Sequence, residues 1–194
     1  MKFNQQKYIY YGEMVFYMIY ISCLVLITAA PVITTGAAVT AGYKAFLILK
    51  NKDNSMEIKD ITKCYFRAFI KKMPYSLILT IWFIAIIIAI YKLPLLIPLN
   101  FVALSILYLI CFEFVLFFQI VFIIYAEKDR INYFDLIMKS VSTIHLKLKY
   151  VVLMSIIQVL LFGAVYFLPW TIIISIGFYL FLNTKIYCSK IITV

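Results

Sequence analysis

The longest uncharged stretch of the chain, residues 150–184, contains 35 residues without Asp, Glu, Lys or Arg. As one helix it would be roughly 52 Å long at about 1.5 Å per residue, whereas the hydrocarbon core of a bilayer is about 30 Å thick. The stretch must therefore fold back on itself. Pro169 suits the first turn of a second helix and Trp170 favours the membrane interface, so the sequence predicts two spans in a tight hairpin that turns at Pro169.

The composition of the whole chain agrees with an integral membrane protein. Hydrophobic residues make up 66% of the 194 residues and charged residues 13%, proportions outside the range of soluble domains. The longest charge-rich segment, residues 44–72, is too short for a core of its own, so we expect a single membrane domain over residues 1–194. We also expect the first apolar run to be retained as a span, because it is long enough to cross and a basic loop follows it.

Uncharged runs place the other spans. After Ala30 the sequence changes to small and polar residues, so we expect an irregular stretch and then a short helix that leaves the membrane near Lys44. The predicted fold is an all-α, polytopic transmembrane helical bundle with about five spans. These spans lie near residues 14–31, 74–91, 97–125, 150–167 and 170–187.

Two basic segments between the spans have the spacing of amphipathic helices. In residues 56–70, and again in residues 133–141, apolar residues recur at helical intervals with charged or polar residues between them. Each segment predicts a helix at the cytoplasmic membrane surface. An internal repeat of span, surface helix and span is one interpretation, and convergence of two basic linkers is the other. The basic residues expected at this surface are Lys59, Lys63, Arg67, Lys71, Lys72, Lys147 and Lys149.

The distribution of Lys and Arg predicts the orientation of the chain. Residues 44–72, residues 126–149 and the C-terminal tail together carry fifteen basic residues, against three on the opposite side, Lys2, Lys7 and Lys92. Because positively charged loops stay in the cytoplasm, we expect the N-terminus outside and the C-terminus inside. The net charge of +10 then fits contact with anionic lipid headgroups and requires no nucleic acid.

Residues 31–43 contain proline, threonines, glycines, small residues and a tyrosine directly after the first span, and residues 65–72 are aromatic and basic directly before the second. The first of these stretches resembles the corresponding stretch of a known family, the YesL-like integral membrane proteins. Residues 65–72 resemble its aromatic and basic segment before the second span, and residues 125–149 fit more loosely. The family is found in Gram-positive bacteria and has no established activity. The resemblance implies a bacterial cytoplasmic membrane and a link to carbohydrate uptake.

The stretch of residues 31–43 is also a candidate functional element. Its proline, glycine and threonines can leave backbone groups unpaired, which a membrane tolerates only where protein or water satisfies them. Its small residues would also let another helix approach closely. A tight helix crossing is therefore one interpretation, and a break that faces a ligand or a partner is the other. The candidate residues are Pro31, Thr34, Thr35, Gly36, Thr40 and Tyr43.

Glu113 is the second candidate, because it is the one charged residue inside the third predicted span. It lies about 14 residues, or roughly 20 Å, from either end of that span, which places it near the bilayer midplane. A carboxylate there costs at least about 2.5 to 3.5 kcal/mol, so it should be protonated, paired or in contact with water. A hydrogen bond between helices and a role in binding a proton or cation are both open.

Catalytic motifs are absent from the sequence. His145 is its single histidine, so a two-histidine metal site is impossible, and there is no glycine-rich phosphate loop or nucleophile elbow. We therefore expect a protein that is not an enzyme and that needs no metal and no cofactor.

Three functional hypotheses follow from the sequence. The leading one is a non-enzymatic accessory or regulatory membrane component that contacts a membrane protein such as a transporter. The second is a small transporter or channel, as a homo-oligomer, in which Glu113 and the break at residues 34–40 line a path. The third is an immunity-type protein that protects the membrane.

Overall fold

The prediction of an all-α fold is confirmed. A computed structural model describes residues 2–51, 57–96, 101–128 and 131–191, and these residues form helices and no strands. Short 3₁₀ turns at Val32–Thr34 and Pro169–Thr171 join successive helices, and a π-helical turn, Tyr187–Ile191, follows the last one. The helices are α1 (Lys2–Ala29), α2 (Thr35–Asn51), α3 (Ile58–Leu96), α4 (Phe101–Glu127), α5 (Tyr133–Leu146), α6 (Leu148–Phe167) and α7 (Ile172–Ile186).

Five helical stretches are long and apolar enough to cross a membrane, so the chain is a multi-pass membrane protein. The sequence also predicted a span at residues 97–125. Residues 97–100 of that span lie outside the described residues, but α4 alone has 27 residues, about 40 Å, which exceeds the thickness of a bilayer core. The five stretches are Tyr11–Ala29, Val32–Lys50, Ile58–Ile88, Leu148–Phe167 and Pro169–Ile191.

The predicted hairpin at Pro169 is confirmed. Helix α6 ends at Phe167, and the 3₁₀ turn Pro169–Thr171 leads directly into α7. The Thr171 amide and hydroxyl both donate to the carbonyl oxygen of Leu168, at 2.9 Å and 2.7 Å. Trp170 is 73% exposed, as expected for an aromatic residue that anchors the turn at the membrane interface.

The prediction that the first helix ends near Ala30 and that an irregular stretch follows is confirmed, but the prediction of a short exit helix after that stretch is wrong. The irregular part is confined to the few residues before Thr35, and α2 then continues without a break through Gly36 to Asn51. Proline, glycine and threonine disfavour a helix only locally, whereas tertiary packing stabilises it here. Ala37, Ala38 and Ala41 are fully buried in the contacts that α2 makes with its neighbours.

The first predicted surface helix is not a separate element. Helix α3 has 39 residues and includes both that segment and the second predicted span. At about 58 Å it is nearly twice as long as a bilayer core is thick, so its first part extends beyond the span. The second predicted surface helix is separate, as α5, with Leu136 and Ser140 buried and Phe134 and Met138 exposed.

Helix α2 lies at the centre of the bundle. It packs against α1, α3, α4 and α7, and 61% of its apolar membrane-crossing stretch is buried inside the bundle. It runs antiparallel to α1, because Thr34 at its start bonds to Thr28 while Gly42 lies against Ile21 and Val25. The end of α2 and the start of α1 therefore point toward the same side of the bundle.

Candidate functional site

The three threonines of the 31–43 stretch bind backbone carbonyl oxygens of the protein itself. The hydroxyl of Thr34 donates to the Thr28 oxygen at 2.6 Å, that of Thr35 to the Val32 oxygen at 2.7 Å, and that of Thr40 to the Gly36 oxygen at 2.7 Å. The Thr34 bond satisfies a carbonyl oxygen at the end of α1 that the break leaves without a helical partner, whereas the Val32 oxygen also accepts from the Thr35 amide and the Gly36 oxygen lies within α2. The geometry therefore favours the structural interpretation of this stretch, and Pro31 is exposed at its start.

Gly36 is the point where α2 crosses α3 and α4. Its amide donates to the Thr80 hydroxyl at 3.1 Å. A Cβ atom at this position would lie 3.0 Å from the Ser76 carbonyl oxygen and 3.0 Å from the Phe122 ring. A larger residue would therefore push these helices apart, as expected for a small-residue helix contact.

Tyr43 belongs to a different environment from the rest of the stretch. Its side chain is fully buried, and its hydroxyl accepts a hydrogen bond from Asn183 Nδ2 of α7 at 3.2 Å. The ring of Tyr179 lies beside it, with the two ring centroids 6.4 Å apart. Tyr43 therefore connects α2 to a group of polar side chains inside the bundle.

We call this group the polar core, and it joins four helices. Ser155 of α6 donates to Gln119 Oε1 of α4 at 3.0 Å, and the Tyr179 hydroxyl donates to Gln158 Oε1 at 3.4 Å. The Tyr179 hydroxyl also lies near the amides of Gln119 and Asn183. Buried polar side chains within apolar helices hold the helices in register, because each must find a partner inside the protein. The members are Tyr43, Gln119, Ser155, Gln158, Tyr179 and Asn183.

Two atoms of the polar core have no hydrogen-bond partner among the described residues: Gln119 Nε2 and Asn183 Oδ1. Gln119 is 4% exposed and Asn183 is fully buried. An unpaired polar atom in such a place is unusual in a folded protein, since burial without a partner costs about 1–3 kcal/mol.

Polar contacts continue from the polar core to the end of α4. Tyr187, one turn after Asn183, donates to the Glu127 carboxylate at 2.7 Å. Lys44, next to Tyr43, donates to the Glu127 backbone oxygen at 3.3 Å. Lysines suit this position because the carbonyl groups at a helix C-terminus carry partial negative charge.

Lys72 is held against the same helix end. Its side chain is 2% exposed, its ammonium group donates to the Lys128 backbone oxygen, and it lies 4.1 Å from the centroid of the Tyr125 ring. The sequence placed Lys72 on the membrane surface, but the structure uses it to join α3 to α4. Its function as a lipid-contacting residue is therefore not supported by its position.

The other basic candidates are accessible. Lys59, Lys63, Arg67 and Lys71 are exposed and recur at every fourth position of α3, so they form one basic face. Like charges at this spacing repel one another, and an anionic surface would relieve that repulsion. Lys149 is exposed and Lys147 is partly buried.

An open pocket of about 430 Å³ lies where the end of α4 leads into α5. Burial lowers the pKa of Lys139, which lies at the pocket, below its ordinary value. Two lysines, Lys128 and Lys139, and the acidic residue Asp135 line the pocket, so its charge favours neither anions nor cations. Its lining consists of Lys128, Ile131, Asn132, Asp135, Met138 and Lys139.

Glu113 lies on the outside of the bundle and not in a path through it. Its side chain is exposed, as are Ile110 and Phe114 beside it, at 43% and 38%. The α4 residue next to Gly36 is Phe122, nine positions further along the helix, or about 13 Å away at 1.5 Å per residue. The structure therefore does not bring Glu113 together with residues 34–40.

Sequence reasoning missed five members of the polar core as site residues: Gln119, Ser155, Gln158, Tyr179 and Asn183. A signal was present, because Gln and Asn are rare inside uncharged apolar runs and are costly there unless they are bonded. What the sequence does not reveal is that these residues, from three helices, face one another.

No protein-family model matches the sequence, and no curated protein and no solved structure is significantly similar to it. In the part of the chain that the structure describes, no group of three or more His, Cys, Asp or Glu residues could hold a metal ion.

Proposed function

We propose that this protein is a non-enzymatic accessory or regulatory component of a membrane complex, and that it binds another membrane protein through the face of α4 around Glu113. One observation carries the proposal: a carboxylate in the middle of an apolar helix is exposed on the outside of the bundle. Facing lipid there as an anion costs at least about 2.5 kcal/mol. A partner that covers Glu113 and hydrogen-bonds to it removes that cost.

The partner is expected to carry a basic side chain at the same depth. Lys44 and Lys72 lie inside two of the crossing stretches, but both bond to backbone oxygens at the end of α4, about 14 residues or roughly 20 Å from Glu113. A second copy in the same orientation would therefore not bring either lysine to the depth of Glu113. A helix of another protein with Lys, Arg or His within its span would pair with Glu113. Charge complementarity thus favours a different protein over a homo-oligomer.

The α1–α2 hairpin supports a revised orientation. If α2 crosses the membrane, the chain crosses six times, and both termini lie on one side. Lys2 and Lys7 then join the fifteen other basic residues, and Lys92 is the single basic residue on the opposite side. We propose that this basic side is the cytoplasm, because positively charged segments are retained there. The expectation of an external N-terminus assumed that α2 does not cross.

The bacterial cytoplasmic membrane, the relation to YesL-like proteins and the link to carbohydrate uptake are hypotheses from the sequence resemblance. The exposed basic face of α3 supports contact with anionic headgroups of the cytoplasmic leaflet.

The proposal is tested by purifying the tagged protein from its native membrane in mild detergent and identifying bound proteins by mass spectrometry. Variants Glu113→Gln and Glu113→Leu are compared with Glu13→Gln, a matched control because Glu13 is also exposed but lies near the start of the α1 span. We expect a reproducible membrane partner that is retained in Glu13→Gln and lost in Glu113→Leu. Glu113→Gln should weaken binding less, since it keeps a hydrogen-bonding group.

Other outcomes would favour the alternative functions. A self-oligomer with no other protein, together with loss of proton or solute flux in Glu113→Gln, would replace this proposal with a transporter or channel. A partner whose recovery is the same in all variants would show that Glu113 is not the binding site. Increased sensitivity of a deletion strain to membrane-active peptides would favour an immunity-type protein.

A further inference from the structure

Two buried amides of the polar core are only half bonded. Gln119 bonds to Ser155 and Asn183 bonds to Tyr43, each through one of its two polar atoms. The second atom of each amide is unpaired among the described residues, although Gln119 is 4% exposed and Asn183 is fully buried.

The free-energy cost of these atoms requires an explanation. Each buried polar atom without a partner costs about 1–3 kcal/mol, and the hydrocarbon core of the bilayer contains no water that could bond to it. Leucine or methionine at either position would avoid the cost and would fit the apolar helices. An additional molecule that bonds to the free atoms offsets it, as buried water commonly does in folded proteins.

The chemistry of the free atoms defines that molecule. Gln119 Nε2 donates hydrogen bonds and Asn183 Oδ1 accepts them, so the molecule must do both. The Tyr179 hydroxyl, which lies near both amides, offers a third polar group. All six members of the polar core are uncharged, so a neutral occupant leaves no buried charge without a counter-charge.

We propose that the polar core binds a small neutral molecule that both donates and accepts hydrogen bonds, with water as its smallest occupant. The site lies between α2, α4, α6 and α7, near Gln119, Tyr179 and Asn183. It is separate from the Glu113 face and does not depend on the accessory function.

Polar groups also connect the site to the end of α4. Asn183 is one helical turn from Tyr187, which bonds to the Glu127 carboxylate. Tyr43 precedes Lys44, which bonds to the Glu127 backbone oxygen. A neutral molecule that enters from the end of α4 would meet these polar groups before it reaches Asn183.

Solid-state NMR of the wild-type protein in lipid nanodiscs tests the proposal. The experiment measures the rate of magnetisation transfer from water to the side-chain amides of Gln119 and Asn183, with the backbone amide of fully buried Ile120 as a reference. We expect transfer to both side chains to be several-fold faster than to Ile120. Equally slow transfer at all three sites, with no response to added solute, would overturn the proposal.

Urea and glycerol, added at non-denaturing concentrations, separate water from a larger occupant. A saturating chemical-shift change at the two side-chain amides, with loss of the water signal, supports binding of a neutral solute. Fast water transfer that neither solute changes supports water itself. The paired variant Gln119→Leu with Ser155→Ala removes both partners of one bond and should abolish the solute response at Asn183, whereas Thr184→Val, at a buried hydroxyl that is already bonded, should leave it unchanged.

Discussion

Single glycines determine how closely the helices of this bundle approach. A Cβ atom on Gly177 of α7 would collide with the backbone oxygen of Met18 in α1, and it would lie 2.5 Å from the Ser22 hydroxyl. A backbone atom cannot move aside as a flexible side chain can. By contrast, a Cβ atom on Gly163 of α6 meets nothing within 4 Å.

We therefore expect Gly177→Ala to destabilise the protein by about 1–3 kcal/mol, because α1 and α7 must separate. Gly163→Ala is the matched control and should be neutral or slightly stabilising, since alanine favours a helix over glycine by about 0.5–1 kcal/mol. Thermal unfolding in detergent measures both. Equal midpoints for the two variants would contradict the close packing of α1 on α7.

Substitutions at two neighbouring lysines test the contact between α3 and the end of α4. Lys72 is buried against Tyr125 and the end of α4, whereas Lys71 is exposed. Lys72→Met should lower the free energy of unfolding by about 2–3 kcal/mol, because it removes a buried charged hydrogen bond and a cation–π contact. Lys71→Met should change it by less than about 0.5 kcal/mol. A similar loss in both variants would indicate that Lys72 has no special structural role.

At the residue scale, the sequence predicted that Glu113 lies near the middle of its helix but not which side of that helix faces the bundle. Helix α4 is apolar on nearly all sides, so its pattern contains no stripe that marks a buried face. Contacts with α2, α3 and α6 decide the face, and these contacts are visible only in the assembled bundle. The pairing of Asn183 with Tyr43, 140 positions apart, is hidden for the same reason.

At the element scale, the sequence predicts helices well where length and charge alone decide. The α6–α7 hairpin follows from an uncharged run too long for one crossing and a proline at its middle. The path of α2 does not follow, because Pro31 and Gly36 both signal a break locally. The chain turns back at Pro31, whereas Gly36 lies inside a continuous helix and its amide bonds to Thr80 of α3. The continuity of α3 through Pro74 was also missed, since the change from charged to apolar residues resembles a boundary between two helices.

The α1–α2 hairpin predicts the location of the N-terminus. If α2 crosses the membrane, a small reporter fused before residue 1 lies on the cytoplasmic side, together with the loop before α3 and the C-terminus. Reporter pairs that are active in only one compartment, fused at each terminus, measure this directly. We expect both termini to report the cytoplasm. A cytoplasmic C-terminus with an external N-terminus would mean that α2 does not cross.

At the scale of the whole molecule, the bundle separates two surfaces of different chemistry. One end carries the exposed basic face of α3, and the lateral surface of α4 carries the acidic residue Glu113 between the exposed apolar residues Ile110 and Phe114. The polar core lies between the helices, and hydrogen bonds of Tyr187 and Lys44 connect it to the end of α4. We propose that the basic end contacts lipid headgroups and that the side around Glu113 binds another membrane protein.

Site-specific photo-crosslinking in native membranes tests that proposal most directly. A photoreactive amino acid replaces Ile110 or Phe114 beside Glu113, and Ile174 of α7 serves as an equally lipid-accessible control because it is 54% exposed. We predict one protein adduct from positions 110 and 114, none from position 174, and loss of the adduct when Glu113→Leu is added. Adducts to lipid alone, or the same adduct from all three positions, would contradict a partner at Glu113.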